Sequence, residues 1–312
     1  MDQLPPFGKA IGLVIPPTNG VYAPLLAKNA SAILSANKTT FAYGADPRQQ
    51  LDLYTPSQSE DVTDKSSPRP LLVFVYGGGF ANGDKSSEAK PLVYQNLGYF
   101  FSEKTGLETI IIDYRLIKHG AKFPSGGEDV DAALQWIAQK YGGQKRDVYL
   151  FGNSAGGINV ATWLFEPLFQ KSRQSLFAGV DGVKVSGAIL LGALFDFRQS
   201  SPPLRQALTG YFGEELDQSS TVALLDRIEP TGELSSGPWP RFLIVDSELD
   251  PDDIIKADQD VLRRLKDVPN LDVGYVQIKG HNHISPPLAL GTSIAAEEEW
   301  GYNLASWVKG SA

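Results

Sequence analysis

A chain of 312 residues, 42% of them apolar, is long enough to bury a large core, and α/β enzymes of this length often form around one sheet. Its net charge of −8, from 36 acidic residues against 28 Lys and Arg, argues against nucleic acid or an anionic membrane as a main partner. Zero cysteines exclude disulfides and a thiol nucleophile, and three histidines leave little for a transition-metal site, so neither metal nor cofactor is expected.

Residues 1–38 mix proline, glycine and small apolar side chains, with a short helix expected over Val21–Ser35. The opening Met1-Asp2-Gln3-Leu4-Pro5-Pro6-Phe7 lacks the basic start and apolar core of a signal peptide. No window approaches the ~18 uninterrupted apolar residues of a membrane span, so a cytoplasmic protein is expected. Strand-like runs follow near 40–44, 51–54, 70–76, 108–114, 147–151, 187–193, 241–246 and 273–278. Between the later runs lie stretches such as Val130–Ala138, where apolar residues recur at helical spacing. Apolar strands alternating with amphipathic helices imply a mainly parallel sheet of eight strands, covered on both faces. Lys65–Pro68 and the acidic stretch before it are expected to form a surface loop.

The chemistry-bearing segments sit at strand ends. The run Arg69–Tyr76 leads into Gly77-Gly78-Gly79-Phe80, where side-chain-free backbone leaves N–H groups open toward an oxyanion. Gly78 to Lys85 nearly spells a phosphate loop, but Asp84 stands where its lysine belongs, which argues against nucleotide binding. The run Asp147–Phe151 leads into Gly152-Asn153-Ser154-Ala155-Gly156-Gly157, and helical character resumes from Ile158 to Phe165. Strand, Gly-x-Ser-x-Gly and helix, in that order, is the context of a nucleophile elbow. A serine on so tight a turn is strained, so the positions two before and two after it must lack side chains.

A serine nucleophile needs a base, and the base an orienting acid. His119 precedes the elbow in a polar loop, whereas His281 and His283 follow the strand-like run Val273–Ile278. Between elbow and histidines, the apolar run Arg241–Val245 enters an acid cluster that includes Asp246, Asp250 and Asp253. One acid should hold the imidazole tautomer; the others suit the first turn of a helix. His281 and His283 with a carboxylate also form a minimal metal-binding set, a weaker alternative with no further ligand motif.

Together, Tyr76-Gly77-Gly78-Gly79-Phe80, Gly152-Asn153-Ser154-Ala155-Gly156-Gly157, Leu249-Asp250-Pro251 and Asn282-His283-Ile284-Ser285 resemble the α/β-hydrolase superfamily. The resemblance is to its hormone-sensitive-lipase-like and feruloyl-esterase-like carboxylesterases, with kynurenine formamidase as a relative. Tyr43–Tyr54, Asp113–Leu116 and Phe123–Val130 resemble the same group, so the likeness runs over roughly residues 40 to 310. The resemblance implies Ser154 as nucleophile, with Gly78, Gly79 and Ala155 as the oxyanion hole. It favours Asp250 over Asp246 and Asp253 as the triad acid, and His283 over His281 as base. Tyr76 departs from the histidine that many members carry before the glycines.

The resemblance also implies a cap. Residues 195–240 lie where α/β-hydrolases commonly insert one, and with the 1–38 segment they are expected to close over the sheet within a single 1–312 domain. Phe80, Phe195, Phe197 and Tyr211, with Leu204, Leu208 and Phe212, are the expected apolar wall of a substrate pocket, the alternative for residues of the excursion being that they pack inward as the core of a small helical unit. A small-molecule ester is the implied substrate, cleaved through an acyl-enzyme. Acyl transfer, formamide or lactone hydrolysis and a biosynthetic cyclisation use the same residues and stay open. So does a ligand-binding protein without turnover, although such proteins usually lose a triad member. Oligomeric state is not legible.

Overall fold

The computed structural model describes residues 1–57, 69–198, 200 and 202–310; the Lys65–Pro68 loop lies outside them. Among the described residues eight strands form one sheet. They are β1 (Lys38–Ala42), β2 (Gln50–Tyr54), β3 (Arg69–Val75), β4 (Glu108–Ile112), β5 (Arg146–Asn153), β6 (Val183–Leu191), β7 (Arg241–Leu249) and β8 (Val273–Asn282). Their order is β1-β2-β4-β3-β5-β6-β7-β8, and only the β1–β2 and β2–β4 pairs are antiparallel.

Each strand matches an expected apolar run, but several continue past it. β5, β7 and β8 gain polar residues at their carboxyl ends, because a ladder bonds through backbone and does not require apolar side chains there. Central β3 shows why helices must cover both faces: Leu71 to Val75 are all buried, so neither face meets water. The covering helix Ser125–Lys140 buries Val130, Ala133, Leu134 and Ile137, one stripe at helical spacing.

The amino-terminal helix corrects the sequence expectation. It runs over Ile11–Lys28, breaks at Asn29, and resumes only briefly at Ala30–Leu34. Pro16, Pro17 and Pro24 lie inside it, where proline forfeits backbone bonds and ordinarily argues against helix. The stripe Val14, Thr18, Tyr22 and Leu26, spaced four apart, explains why it forms: all four are buried. Tyr22 packs with Leu4, Leu288 and Ala289, so tertiary burial outweighs local propensity. Between β6 and β7 the chain makes a helical excursion, with Pro202–Phe212, Thr221–Ile228 and Glu233–Ser236 as its α-helices. Among the described residues no helix is long and apolar enough to cross a membrane.

Strand register places the site. The chain leaves β3 toward β4 on one side and leaves β5 toward β6 on the other, which opens a crevice at their carboxyl ends. Val75 pairs with Gly152, so Gly77 and Ser154, each two residues further on, come abreast. Leu249 pairs with Asn282, which does the same for Asp250 and His283.

Candidate active site

Ser154 caps the amino end of the Ala155–Phe165 helix directly after β5, with φ 52° and ψ −122°. A positive φ is costly for a residue with a Cβ and is held only where the surroundings fix it. Here the Ser154 N–H donates to the Leu191 carbonyl at 2.8 Å. The flanking glycines let backbone approach backbone. A Cβ on Gly152 would lie 2.5 Å from Gly157 Cα, and one on Gly156 would lie 2.0 Å from the Val75 oxygen.

His283 stands in the loop after β8, with Nε2 2.9 Å from Ser154 Oγ and Nδ1 2.7 Å from Asp250 Oδ1. A carboxylate can only accept, so Nδ1 carries the proton and Nε2 accepts from the Ser154 hydroxyl. The other Asp250 oxygen accepts the Ser247 N–H at 2.6 Å, which fixes the carboxylate at the turn that ends β7. Strand β6 separates Ser154 from Asp250 and His283, and its end offers no obstacle because Gly192 stands there. With φ 55°, a Cβ on Gly192 would press to 3.3 Å from both His283 Nδ1 and Asp250 Oδ2.

Gly78 and Gly79 both have positive φ, and with Ala155 they line the cavity in front of Ser154. Among the described residues none accepts a hydrogen bond from the N–H of Gly78, Gly79 or Ala155. Three unused donors beside the Ser154 hydroxyl form a site suited to an anion. A buried network that the sequence did not reveal holds this loop. The Tyr76 hydroxyl donates to Asp113 at 2.5 Å and accepts from Arg48 at 2.6 Å. Arg48 also reaches the Gly83 carbonyl, and Asp113 accepts the Lys85 N–H at 2.7 Å. Lys85 is buried in an ion pair with Asp52, so it is not available to a phosphate. The one sequence signal for the network was Tyr76 itself, a hydroxyl-bearing ring where a buried partner was needed.

The remaining candidates lie elsewhere. Asp246 accepts from the Tyr275 hydroxyl, and Asp253 accepts the Ile254 N–H in the first turn of the Asp252–Lys266 helix. His119 accepts the Leu116 N–H in a short turn. On the Asp252–Lys266 helix, Asp258 is fully buried with neither oxygen bonded. Burial first, and then Asp250 and Asp246, push it well above the usual carboxylate range.

The cavity of about 600 Å3 corrects part of the expected wall. Phe80, Leu204 and Leu208 line it, but Phe195, Phe197, Tyr211 and Phe212 do not. The chain stays in the core after β6 and begins its excursion only at Pro202, so Phe195 and Phe197 are fully buried. Tyr211 stands behind the wall. It stacks on Phe80 at 4.2 Å, and its hydroxyl accepts the Gly126 N–H at 2.7 Å. Ile11, Ile15 and Asn19 of the amino-terminal helix complete another side.

His281 faces away from Ser154, with Nδ1 2.8 Å from Ser285 Oγ and Nε2 3.8 Å from Glu297. Burial pushes it down to about 4, although Glu297 pulls the other way. A folded value below the usual 6.5 means that acid protonates the unfolded chain first. This contribution to stability is complete above pH 6.5 and is lost as pH falls toward 4, by about 3 kcal/mol. In His281→Gln the acid-side loss should shrink by that amount, read from urea unfolding between pH 7 and pH 4.

The BD-FAE family model matches residues 51–163, from β2 through the elbow helix. Esterase LipC of Mycobacterium tuberculosis is 26% identical over 251 residues, which cover 77% of this chain and 58% of LipC. A probable isoprenylcysteine α-carbonyl methylesterase of Oryza sativa is 35% identical over 138 residues, 42% of this chain and 28% of the relative. The chain thus spans little more than half of LipC and a smaller part of the plant protein. Among solved structures, the thermostable carboxylesterase EstE1, cloned from a metagenomic library, superposes with a TM-score of 0.61 at 17% identity, covering 94% of this chain and 97% of that one. The Francisella virulence factor BioJ gives 0.63 at 14% identity, over 94% and 91%. A mainly parallel sheet of this order, a serine on the turn directly after β5 and esterases among the similar sequences and structures lead to one conclusion: the chain has the α/β-hydrolase fold and is similar to carboxylesterases.

Proposed function

We propose that this chain is a serine hydrolase that cleaves carboxylic esters through an acyl-enzyme. The observation that carries the reading is the hydrogen-bonded chain Ser154–His283–Asp250 beside three N–H groups that have no acceptor among the described residues. As Ser154 Oγ attacks the carbonyl carbon, His283 Nε2 takes its proton and Asp250 stabilises the imidazolium. The Gly78, Gly79 and Ala155 amides hold the oxyanion. Collapse breaks the bond to the alkoxy oxygen, and His283 returns the proton to the leaving alcohol. Water, deprotonated by the same histidine, then attacks the acyl-enzyme and releases the acid.

The covering elements are the Ile11–Lys28 helix and the excursion that begins at Pro202, which act as a cap. Ile11 and Ile15 on one side and Leu204 and Leu208 on the other favour a short to medium apolar group next to the scissile bond. The names of the relatives, esterase and methylesterase among them, support the same reaction class.

The test is a chain-length series of p-nitrophenyl esters, with a fluorophosphonate probe and mass spectrometry of the labelled peptide. Turnover with a preference for short or medium chains, and one phosphonyl group on Ser154, is the expected result. No turnover and no label would reject the reading.

A further inference from the structure

The cavity is unusual for its chain in one respect: among the described residues no Asp or Glu lines it, although acids outnumber Lys and Arg by 36 to 28. Among the described residues Lys90 is its one lining Lys or Arg, and it is exposed. Some lysines elsewhere are paired with acids: Lys9 with Asp252, Lys38 and Lys85 with Asp52, and Lys104 with Glu298. Among the described residues Lys90 has no acidic partner. Its backbone is held nonetheless. The Lys90 N–H donates to Ser87 O at 3.1 Å, and its carbonyl accepts the Val93 N–H at 3.0 Å. Val93 and Tyr94 continue directly into the cavity wall, and Tyr94 stacks on Tyr76 at 5.1 Å, beneath the oxyanion loop.

A cation with a fixed root, at the mouth of an acid-free and largely apolar cavity, attracts an anion more strongly than the same lysine on an open surface, because low-dielectric walls focus its field. Resting on the hydrolase reading above, we infer that Lys90 anchors a carboxylate carried by the substrate, so that the preferred esters end in an anionic group on the acyl or the alcohol part. The neutral part of such an ester fills the apolar cavity while its carboxylate stays at the hydrated rim. Lys90 is then a specificity residue and takes no part in bond breaking.

The experiment compares two ester pairs on wild type, Lys90→Met and Lys90→Arg. One pair is the p-nitrophenyl monoester of succinic acid against p-nitrophenyl butyrate, which places the charge on the acyl side. The other is 4-butyryloxybenzoate against phenyl butyrate, which places it on the alcohol side. The expected result is a fall of about tenfold in the anionic-to-neutral ratio of kcat/KM for one pair in Lys90→Met, carried by KM. Lys90→Arg should restore it, and added salt should weaken the preference. A ratio unchanged in both pairs overturns the anchor. So does labelling of Ser154 by a fluorophosphonate with no turnover of either anionic ester. No turnover of any ester and no label overturns the hydrolase reading and the anchor with it.

Discussion

Ser154→Ala should lower kcat/KM on a p-nitrophenyl ester by about 10^6-fold and abolish fluorophosphonate labelling, with little change in Tm. The size follows from interdependence: without Oγ, His283 has no proton to take and no acyl-enzyme forms. Little stability should be lost, because alanine meets the same backbone at φ 52° and the Leu191 bond comes from the main chain. Asp250→Asn should cost less, about 10^4-fold, because the amide favours the wrong imidazole tautomer while Ser154 and the oxyanion donors remain. A Ser154→Ala protein that keeps more than about one per cent of wild-type activity would assign the chemistry to another residue.

Gly156→Ala should be among the most damaging single-methyl changes in the molecule. A Cβ there would lie 2.0 Å from the Val75 oxygen and 2.5 Å from the Tyr76 oxygen, both backbone atoms of the strand that leads into the oxyanion loop. Neither can move without parting β3 from β5 at the register that sets Gly77 against Ser154. A destabilisation on the order of 3 kcal/mol is expected, with labelling of Ser154 lost even where the protein still folds. Gly20→Ala is the control. It lies in the amino-terminal helix with nothing within 4 Å of its added Cβ, and should stabilise by about 0.5–1 kcal/mol. Urea unfolding of the two variants decides the matter; equal and small effects would show that the elbow tolerates a side chain.

The Arg48–Tyr76–Asp113 network bears on how the site keeps its shape. Burial raises Asp113, while the Tyr76 hydroxyl and Arg48 pull it down, so the three groups are mutually dependent. They stand under the loop that offers the Gly78 and Gly79 amides. Positive φ at both glycines leaves that loop little intrinsic stiffness, and the network supplies it from below.

Much was legible in the sequence because backbone chemistry leaves marks that do not depend on the rest of the fold. Apolar runs of strand length pointed to all eight strands, but not to their ends: β4 stops at Ile112 and β6 at Leu191, each two residues short of the expected run, while β5, β7 and β8 continue past theirs. Gly152 and Gly156 around Ser154 mark a turn that side chains would forbid, and that constraint is local. What the sequence could not decide was decided by distance between chain segments. Asp250 and Asp246 lie on the same strand end, and only the β7–β8 register sets Asp250 beside His283. Phe195 and Phe197 look like any pocket aromatics in sequence, but they are core because the chain turns outward later, at Pro202. The Ile11–Lys28 helix is opposed by its prolines and is held by a face that only tertiary packing buries. Local sterics are written residue by residue; burial and long-range pairing exist only once the whole chain has collapsed around one sheet.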